Sequence, residues 1–304
     1  MSHTLLKFSA AIAAACALLA GCGSGGSEES AVLETKPLLS DVALYGKDPE
    51  RQQVKLFVKD STRQPKGVVV WIHGGGWFTG THHEAEVYLE KLIDDGYAVV
   101  GAHYRLVPQG VYPHAVDDVK KVFSSMEAGG CDECTNPELW KRVSQWSRTT
   151  GWSVGGTSAG GHLSVLGAAE YLTERPDTTL RCVQNIVGPT NLVDLADYPP
   201  ESQEMVYNFA GQSLAPLPRM SPLHRLRAGT FSNLDKAHWY SIYTTNDHLV
   251  PYKTVGAFEK ELEAANIPVT MLTVEGGQTG GHGLTIPQVM EHAEWPVRRC
   301  FEGT

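Results

Sequence analysis

The chain has 304 residues, of which 42% are apolar and 9% aromatic, which is enough to bury the core of one large domain. Its formal net charge of −9 argues against nucleic acid as a partner, because phosphate backbones attract basic surfaces. Charged residues make up 19% of the chain, and no low-complexity tract dominates, so the composition also argues against a disordered protein.

Residues 1–21 have the pattern of a bacterial signal peptide. Lys7 gives a positive start, and the apolar stretch 8–20 that follows is too short to span a bilayer as a helix. The stretch ends in Leu19-Ala20-Gly21-Cys22, which resembles a lipobox, so Cys22 is expected to be lipidated after cleavage. The alternative is a plain secretory signal with an incidental cysteine. No later segment is long and apolar enough for a transmembrane helix.

Residues 22–38 are interpreted as a flexible tether, because they begin with a run of Gly, Ser and Glu. The folded domain is therefore expected to span residues 39–304. A lipid at Cys22 would hold this domain at a membrane, and we expect a location in the bacterial cell envelope, facing the periplasm or the exterior.

Four cysteines remain in the mature domain: Cys131, Cys134, Cys182 and Cys300. An even number in an oxidising compartment favours disulfides, although sequence alone does not give the pairing. We interpret the CxxC motif at 131–134 as a disulfide that pins its loop, rather than as a thioredoxin-like redox motif. A zinc site would need further ligands, and no second CxxC exists.

Apolar, β-rich runs alternate with helical patterns after residue 50. Between the second and third strands, Thr81 and Glu84 have the spacing of a capping box, and Gly96 is expected to end the helix that follows. In chain order the predicted elements are strand 54–58, strand 67–72, helix 85–93, strand 97–102, helix 115–126, helix 137–148, strand 152–155, helix 159–171, strand 181–187, strand 238–244, helix 255–265, strand 269–274 and helix 286–300.

This alternation predicts an α/β protein with a mostly parallel central sheet and helices on both faces. Ligands bind such sheets at the carboxyl ends of the strands. Residues 189–232 are rich in Pro and lack a sustained period, so we interpret them as an excursion over the strand ends, a partial lid or pocket wall.

The segment Gly156-Thr157-Ser158-Ala159-Gly160 matches the nucleophile-elbow pattern G-x-S-x-G. It lies between a predicted strand and a predicted helix, where a sharp turn would present the hydroxyl of Ser158. The two flanking glycines suit a turn that leaves no room for side chains. A plain Gly-rich loop before a helix is the alternative interpretation.

A second glycine-rich segment, His73-Gly74-Gly75-Gly76, follows the buried strand 67–72. Its glycines would let backbone N–H groups face a substrate oxygen, so the N–H groups of Gly75, Gly76 and Ala159 are the candidate oxyanion hole. His73 is expected to brace the loop through its ring nitrogens. A phosphate-binding P-loop is excluded, because no Lys-Ser/Thr pair follows the glycines.

A serine nucleophile needs a base, and the base needs an orienting acid. His282 follows the last predicted strand, and Asp247 follows the strand before it, so chain order gives Ser158, Asp247 and His282. Five other histidines are set aside as the base: His162 is expected to be a packing residue, His248 lies on the wrong element, His292 falls inside the last helix, and His82 and His83 are expected to be solvated. Asp194 and Asp235 are set aside as the acid, because they lie at unsuitable points in the chain.

Together these motifs resemble α/β-hydrolase carboxylesterases with an HGGG motif, which are hormone-sensitive-lipase-like, and more closely the bacterial esterases related to feruloyl and acetyl-xylan esterases. The resemblance runs from residue 41 to the C-terminus. Its further markers are Tyr45-Gly46-Lys47-Asp48, Tyr104-Arg105-Leu106 with Pro108, Gly188-Pro189-Thr190 and Val250-Pro251.

The resemblance implies a serine carboxylesterase that works through an acyl-enzyme without a metal or organic cofactor. Its substrate would be a small-molecule or carbohydrate ester. The alternatives are an amidase or exopeptidase of the same fold, and a non-catalytic binding protein that retains the fold. The pocket is expected to be built by residues 77–83, 108–114 and 189–232, where Trp77, Tyr112 and Tyr207 could stack on a sugar or an aromatic acyl group.

Overall fold

A computed structural model describes residues 41–276 and 282–303. In this part of the chain, one sheet contains eight strands in the order β1-β2-β4-β3-β5-β6-β7-β8. The strands are β1 Val42–Leu44, β2 Gln53–Phe57, β3 Val68–Ile72, β4 Ala98–Ala102, β5 Trp152–Thr157, β6 Leu180–Ile186, β7 His238–Thr244 and β8 Val269–Val274.

The sheet is parallel from β4 to β8, and β1 and β2 extend it antiparallel at one edge. The mostly parallel sheet of the α/β prediction is thereby confirmed. Because the carboxyl ends of parallel strands meet at one edge, the loops after β3, β5, β7 and β8 lie on the same side of the sheet.

Helices cover both faces of the sheet. Their bounds are α1 His83–Tyr88, α2 Glu90–Asp94, α3 His114–Ala128, α4 Pro137–Thr150, α5 Ala159–Glu174, α6 Pro200–Phe209, α7 Leu217–Met220, α8 Pro222–Arg227, α9 Ala257–Ala264 and α10 Ile286–Glu302. Buried residues of α3, α4, α5 and α9 share one core with the sheet, and those of α1, α2 and α10 share the other.

Strand β3 is apolar at every position because it is buried on both faces of the sheet. Val68, Val70 and Ile72 pack into the first core, whereas Val69 and Trp71 pack into the second. All five side chains are buried, and burial of each contributes about 1.5–3 kcal/mol to the folded state. This doubly covered strand delivers the glycine-rich loop that begins at His73.

Two local predictions were wrong. The predicted capping box of Thr81 and Glu84 does not form, because α1 begins at His83 and its N-cap residue, His82, makes no side-chain capping bond. The single helix predicted over 85–93 is divided at Leu89 into α1 and α2. Glu84 instead turns toward the sheet, where it meets the indole of Trp71.

The excursion 189–232 is more regular than its sequence suggests. It contains α6, α7 and α8, which are 10, 4 and 6 residues long and all carry Pro in the first turn. Helices this short cannot establish an apolar period, and Pro is well tolerated where the first N–H groups have no partner in any case. Strand β1, which has three residues, likewise gave no signal in the sequence.

The expected disulfide of the CxxC motif is present, and the structure supplies a second pairing that the sequence did not give. A disulfide joins Cys131 to Cys134 within the loop between α3 and α4, and a second joins Cys182 on β6 to Cys300 on α10. The signal peptide, Cys22 and the tether lie outside the described residues. Within 41–276 and 282–303, no helix combines the length and apolarity needed to cross a membrane.

Candidate active site

The candidate nucleophile lies at the turn between β5 and α5. Ser158 has φ 52° and ψ −121°, a left-handed conformation that is strained for a residue with a side chain. The two glycines are required by close approach of the neighbouring strand: a Cβ on Gly156 would lie 2.3 Å from the carbonyl oxygen of Ile72, and one on Gly160 would lie 2.1 Å from it.

The structure brings the three predicted triad residues together. Nε2 of His282 is 2.9 Å from Oγ of Ser158, and Nδ1 of His282 is 2.8 Å from Oδ2 of Asp247. The other oxygen of Asp247 accepts the backbone N–H groups of Leu249 and Val250, both at 2.8 Å. The carboxylate is therefore fixed in orientation, and the imidazole lies between it and the serine hydroxyl.

His282 is held at its backbone as well as at its ring. The hydroxyl of Thr244, at the end of β7, donates to the carbonyl of His282 at 2.6 Å. Most of the glycine-rich run before His282 lies outside the described residues. The hydrogen bond from Thr244 fixes the backbone of His282, the residue that follows this run, to β7, and β7 also leads to Asp247.

The glycine-rich loop after β3 leaves donors available near Ser158. Gly75 and Gly76 have φ values of +103° and +61°, which turn the chain sharply. Across the described part of the chain, their N–H groups have no hydrogen-bond acceptor. Ala159 is the first residue of α5, so its N–H also lacks an intrahelical partner. These are the three donors expected for an oxyanion hole.

His73 braces this loop through one ring nitrogen rather than two. Its Nδ1 donates to the carbonyl of Gly74 at 2.8 Å, and its ring stacks on Tyr104 with centroids 4.4 Å apart. The hydroxyl of Tyr104 donates to the carbonyl of His73 at 3.1 Å. Nε2 of His73 is buried without a partner, and burial lowers the pKa of the ring to about 3.

None of the rival histidines reaches Ser158. His162 is fully buried and donates to the carbonyl of Met220, His248 is exposed, and His292 is half-buried on α10. The prediction of a solvated His82 was wrong, because its ring is buried and lies 4.3 Å from that of His103, whereas His83 is exposed. In the described ranges, no three His, Cys, Asp or Glu side chains are placed to hold a metal ion.

The rival carboxylates also lie apart from the triad. Asp194 is exposed and accepts a hydrogen bond from the side chain of Asn191 at 2.7 Å. Asp235 belongs to a short 3₁₀ turn that precedes β7. Among the carboxylates of the described residues, only that of Asp247 is hydrogen-bonded to the imidazole of His282.

A small cleft opens above Ser158 and His282. Its other lining residues are Gly76, Trp77, Pro189, Tyr198, Ser202, Met205, Val206, Leu249 and Val250. Met205 and Gly76 also border a second cleft, which is lined by Phe78, Val107, Glu201, Glu204 and Asn208. Both clefts are mainly apolar, and the second adds two carboxylates and an amide to its apolar lining.

The pocket prediction was partly right. Trp77 lines the first cleft, as residues of α6 do, so 189–232 does form a wall. Neither cleft includes a residue of 108–114, and the hydroxyl of Tyr112 instead donates to the carbonyl of Arg219. Sequence analysis did not assign Leu249 and Val250 to the pocket lining. The signal for that role in the sequence was that both follow Asp247 closely. Ser202 joins the two walls by donating to the carbonyl of Leu249 at 2.8 Å.

Buried histidines make the stability of the fold depend on pH. Burial lowers the pKa of His73 to about 3, and of His82 and His162 to about 4, from an ordinary value of 6.5. Below about pH 6.5 the unfolded chain binds protons at these rings, whereas the folded chain does not. Stability is therefore lost as the pH falls from about 6.5 toward 4.

We expect His162→Gln to reduce this pH dependence, because it removes one titrating ring while its amide can still donate to Met220. The slope of the free energy of unfolding against pH should fall by up to about 1.4 kcal/mol per pH unit between about pH 6 and pH 5. Urea unfolding of both proteins across this range measures it. Burial also raises the pKa values of Glu84 and Glu259, and these two groups increase the stability of the fold as the pH falls. Because they contribute equally to both proteins, the measured quantity is the difference in slope between the wild type and His162→Gln. Identical slopes would contradict the assignment.

Comparison with known proteins finds similarity to esterases in sequence and in fold. The BD-FAE family model matches residues 54–128, which include β3 and the glycine-rich loop. Esterase B from Lactobacillus Rhamnosis superposes with a TM-score of 0.62 at 20% identity, covering 88% of this chain and 87% of that one. The chain therefore has the α/β-hydrolase fold, and its sequence is similar to those of esterases.

Two further proteins are similar to this chain, one in sequence and one in fold. Esterase LipC of Mycobacterium tuberculosis is 27% identical over 161 residues, which are 51% of this chain and 37% of LipC. An acetyl ester-xyloside bifunctional hydrolase from Caldicellulosiruptor lactoaceticus has a TM-score of 0.60 at 18% identity, covering 82% of this chain and 89% of that one. The chain spans only 37% to 56% of the length of the curated relatives it matches.

Proposed function

We propose that this α/β hydrolase is a serine carboxylesterase that hydrolyses carboxylic esters through Ser158, His282 and Asp247. The observation that carries the proposal is the position of one imidazole, with Nε2 2.9 Å from the hydroxyl of Ser158 and Nδ1 2.8 Å from the carboxylate of Asp247. The similarity to esterases in sequence and in fold supports the same reaction class.

The reaction begins when Oγ of Ser158 attacks the carbonyl carbon of the ester and Nε2 of His282 takes the hydroxyl proton. The carbonyl π electrons move to the oxygen, which becomes an oxyanion. As the tetrahedral intermediate collapses, the C–O bond to the alcohol breaks and the alcohol leaves with the proton from Nε2. Water then repeats both steps on the acyl-enzyme, releasing the acid and restoring Ser158.

Two arrangements lower the barrier in this scheme. Asp247 keeps the proton of the neutral imidazole on Nδ1, so that Nε2 is free to accept, and it stabilises the imidazolium that forms. The N–H groups of Gly75, Gly76 and Ala159 would receive the oxyanion. One such donor accounts for about 10²–10³ in rate in enzymes of this kind.

We further propose short acyl groups carried by carbohydrates as substrates. The mainly apolar cleft at Ser158 is small and suits a short acyl chain. The adjoining cleft offers the carboxylates of Glu201 and Glu204, the amide of Asn208 and the half-exposed ring of Phe78, groups that can bind hydroxyls and stack on a sugar face. The acetyl ester-xyloside hydrolase among the structural relatives supports this choice of substrate.

The decisive experiment combines covalent labelling with a comparison of substrates. A fluorophosphonate probe should label the purified protein on the peptide that contains Ser158, and p-nitrophenyl acetate should be hydrolysed faster than the matching arylamide. Acetylated and feruloylated oligosaccharides then test the proposed substrate class. Faster arylamide hydrolysis would favour an amidase, and failure to label or hydrolyse would leave a binding protein that retains the fold.

We also propose that the chain is anchored through a lipid on Cys22 in the bacterial cell envelope. The support is the sequence Leu19-Ala20-Gly21-Cys22 after an apolar stretch, followed by a polar tether. The two disulfides of the folded domain are in keeping with an oxidising compartment.

A further inference from the structure

One largely buried carboxylate connects the two backbone segments that form the candidate site. Glu84, in the first turn of α1, accepts the N–H of Gly74 at 3.1 Å and the hydroxyl of Thr157 at 2.6 Å. Gly74 belongs to the loop that offers the oxyanion donors, and Thr157 directly precedes Ser158. The indole N–H of Trp71 donates to the same carboxylate at 3.2 Å and ties it to β3.

The peptide groups of Gly74 are thereby held from both sides. The carboxylate of Glu84 accepts the N–H of Gly74, and the carbonyl of Gly74 accepts a hydrogen bond from Nδ1 of His73. A Cβ on Gly74 would also lie 2.9 Å from Oγ1 of Thr157, so the loop and the turn at Ser158 are in direct contact. With Gly74 fixed in this way, the next two N–H groups along the loop remain available to a substrate.

A carboxylate in this position is not explained by stability alone. Burial disfavours its charged form and raises the pKa of Glu84, and the groups that offset this are three neutral donors. No salt bridge among the described residues includes Glu84. A buried charge without a cationic partner is unfavourable by itself, and the three donors that offset this cost are the groups that Glu84 holds in place.

We propose that Glu84 is a positioning residue of the esterase site. It fixes the glycine-rich loop against the turn at Ser158, so that the N–H groups of Gly75 and Gly76 face the oxyanion that forms there. The inference rests on the proposed esterase function and assigns Glu84 no contact with the substrate. Its effect should therefore fall on stabilisation of the transition state and not on binding of the ground state.

The test is Glu84→Gln, which keeps the shape of the side chain. Oε1 accepts both Trp71 and Thr157, so the amide oxygen is expected at that position. The N–H of Gly74 is shared between Oε1 at 3.2 Å and Oε2 at 3.1 Å, so the NH₂ group that replaces Oε2 removes the shorter contact and places a second donor against this N–H. The two opposed donors are expected to shift the loop. We expect kcat per active site, counted by fluorophosphonate titration, to fall about 10- to 100-fold with KM changed less than about threefold.

A trifluoromethyl ketone, which forms an oxyanion with the serine, gives a readout that a merely structural role would not move. Its inhibition constant should rise by the same factor as kcat/KM falls, because both report on the oxyanion donors. The matched control is Glu86→Gln, which makes the same change on an exposed side chain of the same helix and should behave as the wild type.

Several outcomes would overturn the proposal: an unchanged kcat per titrated site in Glu84→Gln, a loss carried by KM, or an equal loss in Glu86→Gln. If Glu84→Gln does not fold, Thr157→Val removes a single donor from the intact carboxylate. It should then lower kcat without raising KM, and an unchanged kcat would again overturn the proposal. A wild type that hydrolyses no ester refutes the proposed function instead, so the two failures are distinguishable.

Discussion

Ser158→Ala should lower kcat for p-nitrophenyl acetate about 10⁴- to 10⁶-fold while the protein remains folded. The side chain carries the hydroxyl that forms the acyl-enzyme, and no other hydroxyl is hydrogen-bonded to His282 among the described residues. The residual rate would come from substrate binding and the oxyanion donors acting on water. Steady-state kinetics and the loss of fluorophosphonate labelling measure the effect.

The matched control for this prediction is Ser202→Ala. Ser202 lines the same cleft, but its hydroxyl donates to the carbonyl of Leu249 rather than to His282. Its loss removes one buried hydrogen bond, a change of about 1 kcal/mol, so kcat should fall by less than about tenfold. A Ser158→Ala protein that keeps more than about a hundredth of the wild-type kcat would refute the nucleophile.

Asp247→Asn should lower kcat about 10³- to 10⁴-fold with little change in KM. The surroundings dictate how the new amide lies: its oxygen must accept the N–H groups of Leu249 and Val250, so its NH₂ faces Nδ1 of His282. The imidazole then places its proton on Nε2, where it points at Ser158 and cannot accept the hydroxyl proton.

Asp194→Asn is the control for the orienting acid, because it makes the same change on the exposed carboxylate that was a rival in the sequence. Its kcat should stay within about twofold of the wild type, as is usual for a surface substitution. Kinetics of the two variants side by side distinguish the assignments. An equal loss in both, or none in Asp247→Asn, would rule out Asp247 as the acid.

Much of the fold and the chemistry could be predicted, because each rests on local patterns. Continuous apolar runs such as that of β3 identify doubly covered strands, and parallel strands place the residues after them at one edge. The order of Ser158, Asp247 and His282 along the chain then suggested one site. The structure places all three within hydrogen-bond distance.

The parts that sequence could not predict depend on contacts between distant segments. Glu84 has the spacing of a capping residue relative to Thr81, yet it bonds to Thr157, which is 73 residues away. Asn185 similarly holds the loop after β6 and bonds to the hydroxyl of Tyr243, and nothing in its sequence context indicated this. A local pattern cannot reveal which of two competing partners wins when one of them is provided by the tertiary fold.

The disulfide between Cys182 and Cys300 encloses two of the three triad residues in a covalent ring. It joins residues that are 118 positions apart and closes a ring that contains Asp247 and His282 but excludes Ser158. In the chain-entropy description, a ring of this length restricts the unfolded chain by about 4–5 kcal/mol. Asp247 and His282 thus lie in the segment that the disulfide closes into a ring, and this segment loses less conformational entropy on folding when the disulfide is formed. Ser158 lies on the open part of the chain. Reduction of this disulfide would therefore lower the free energy of unfolding of the folded domain by about the same amount, because it returns entropy to the unfolded chain.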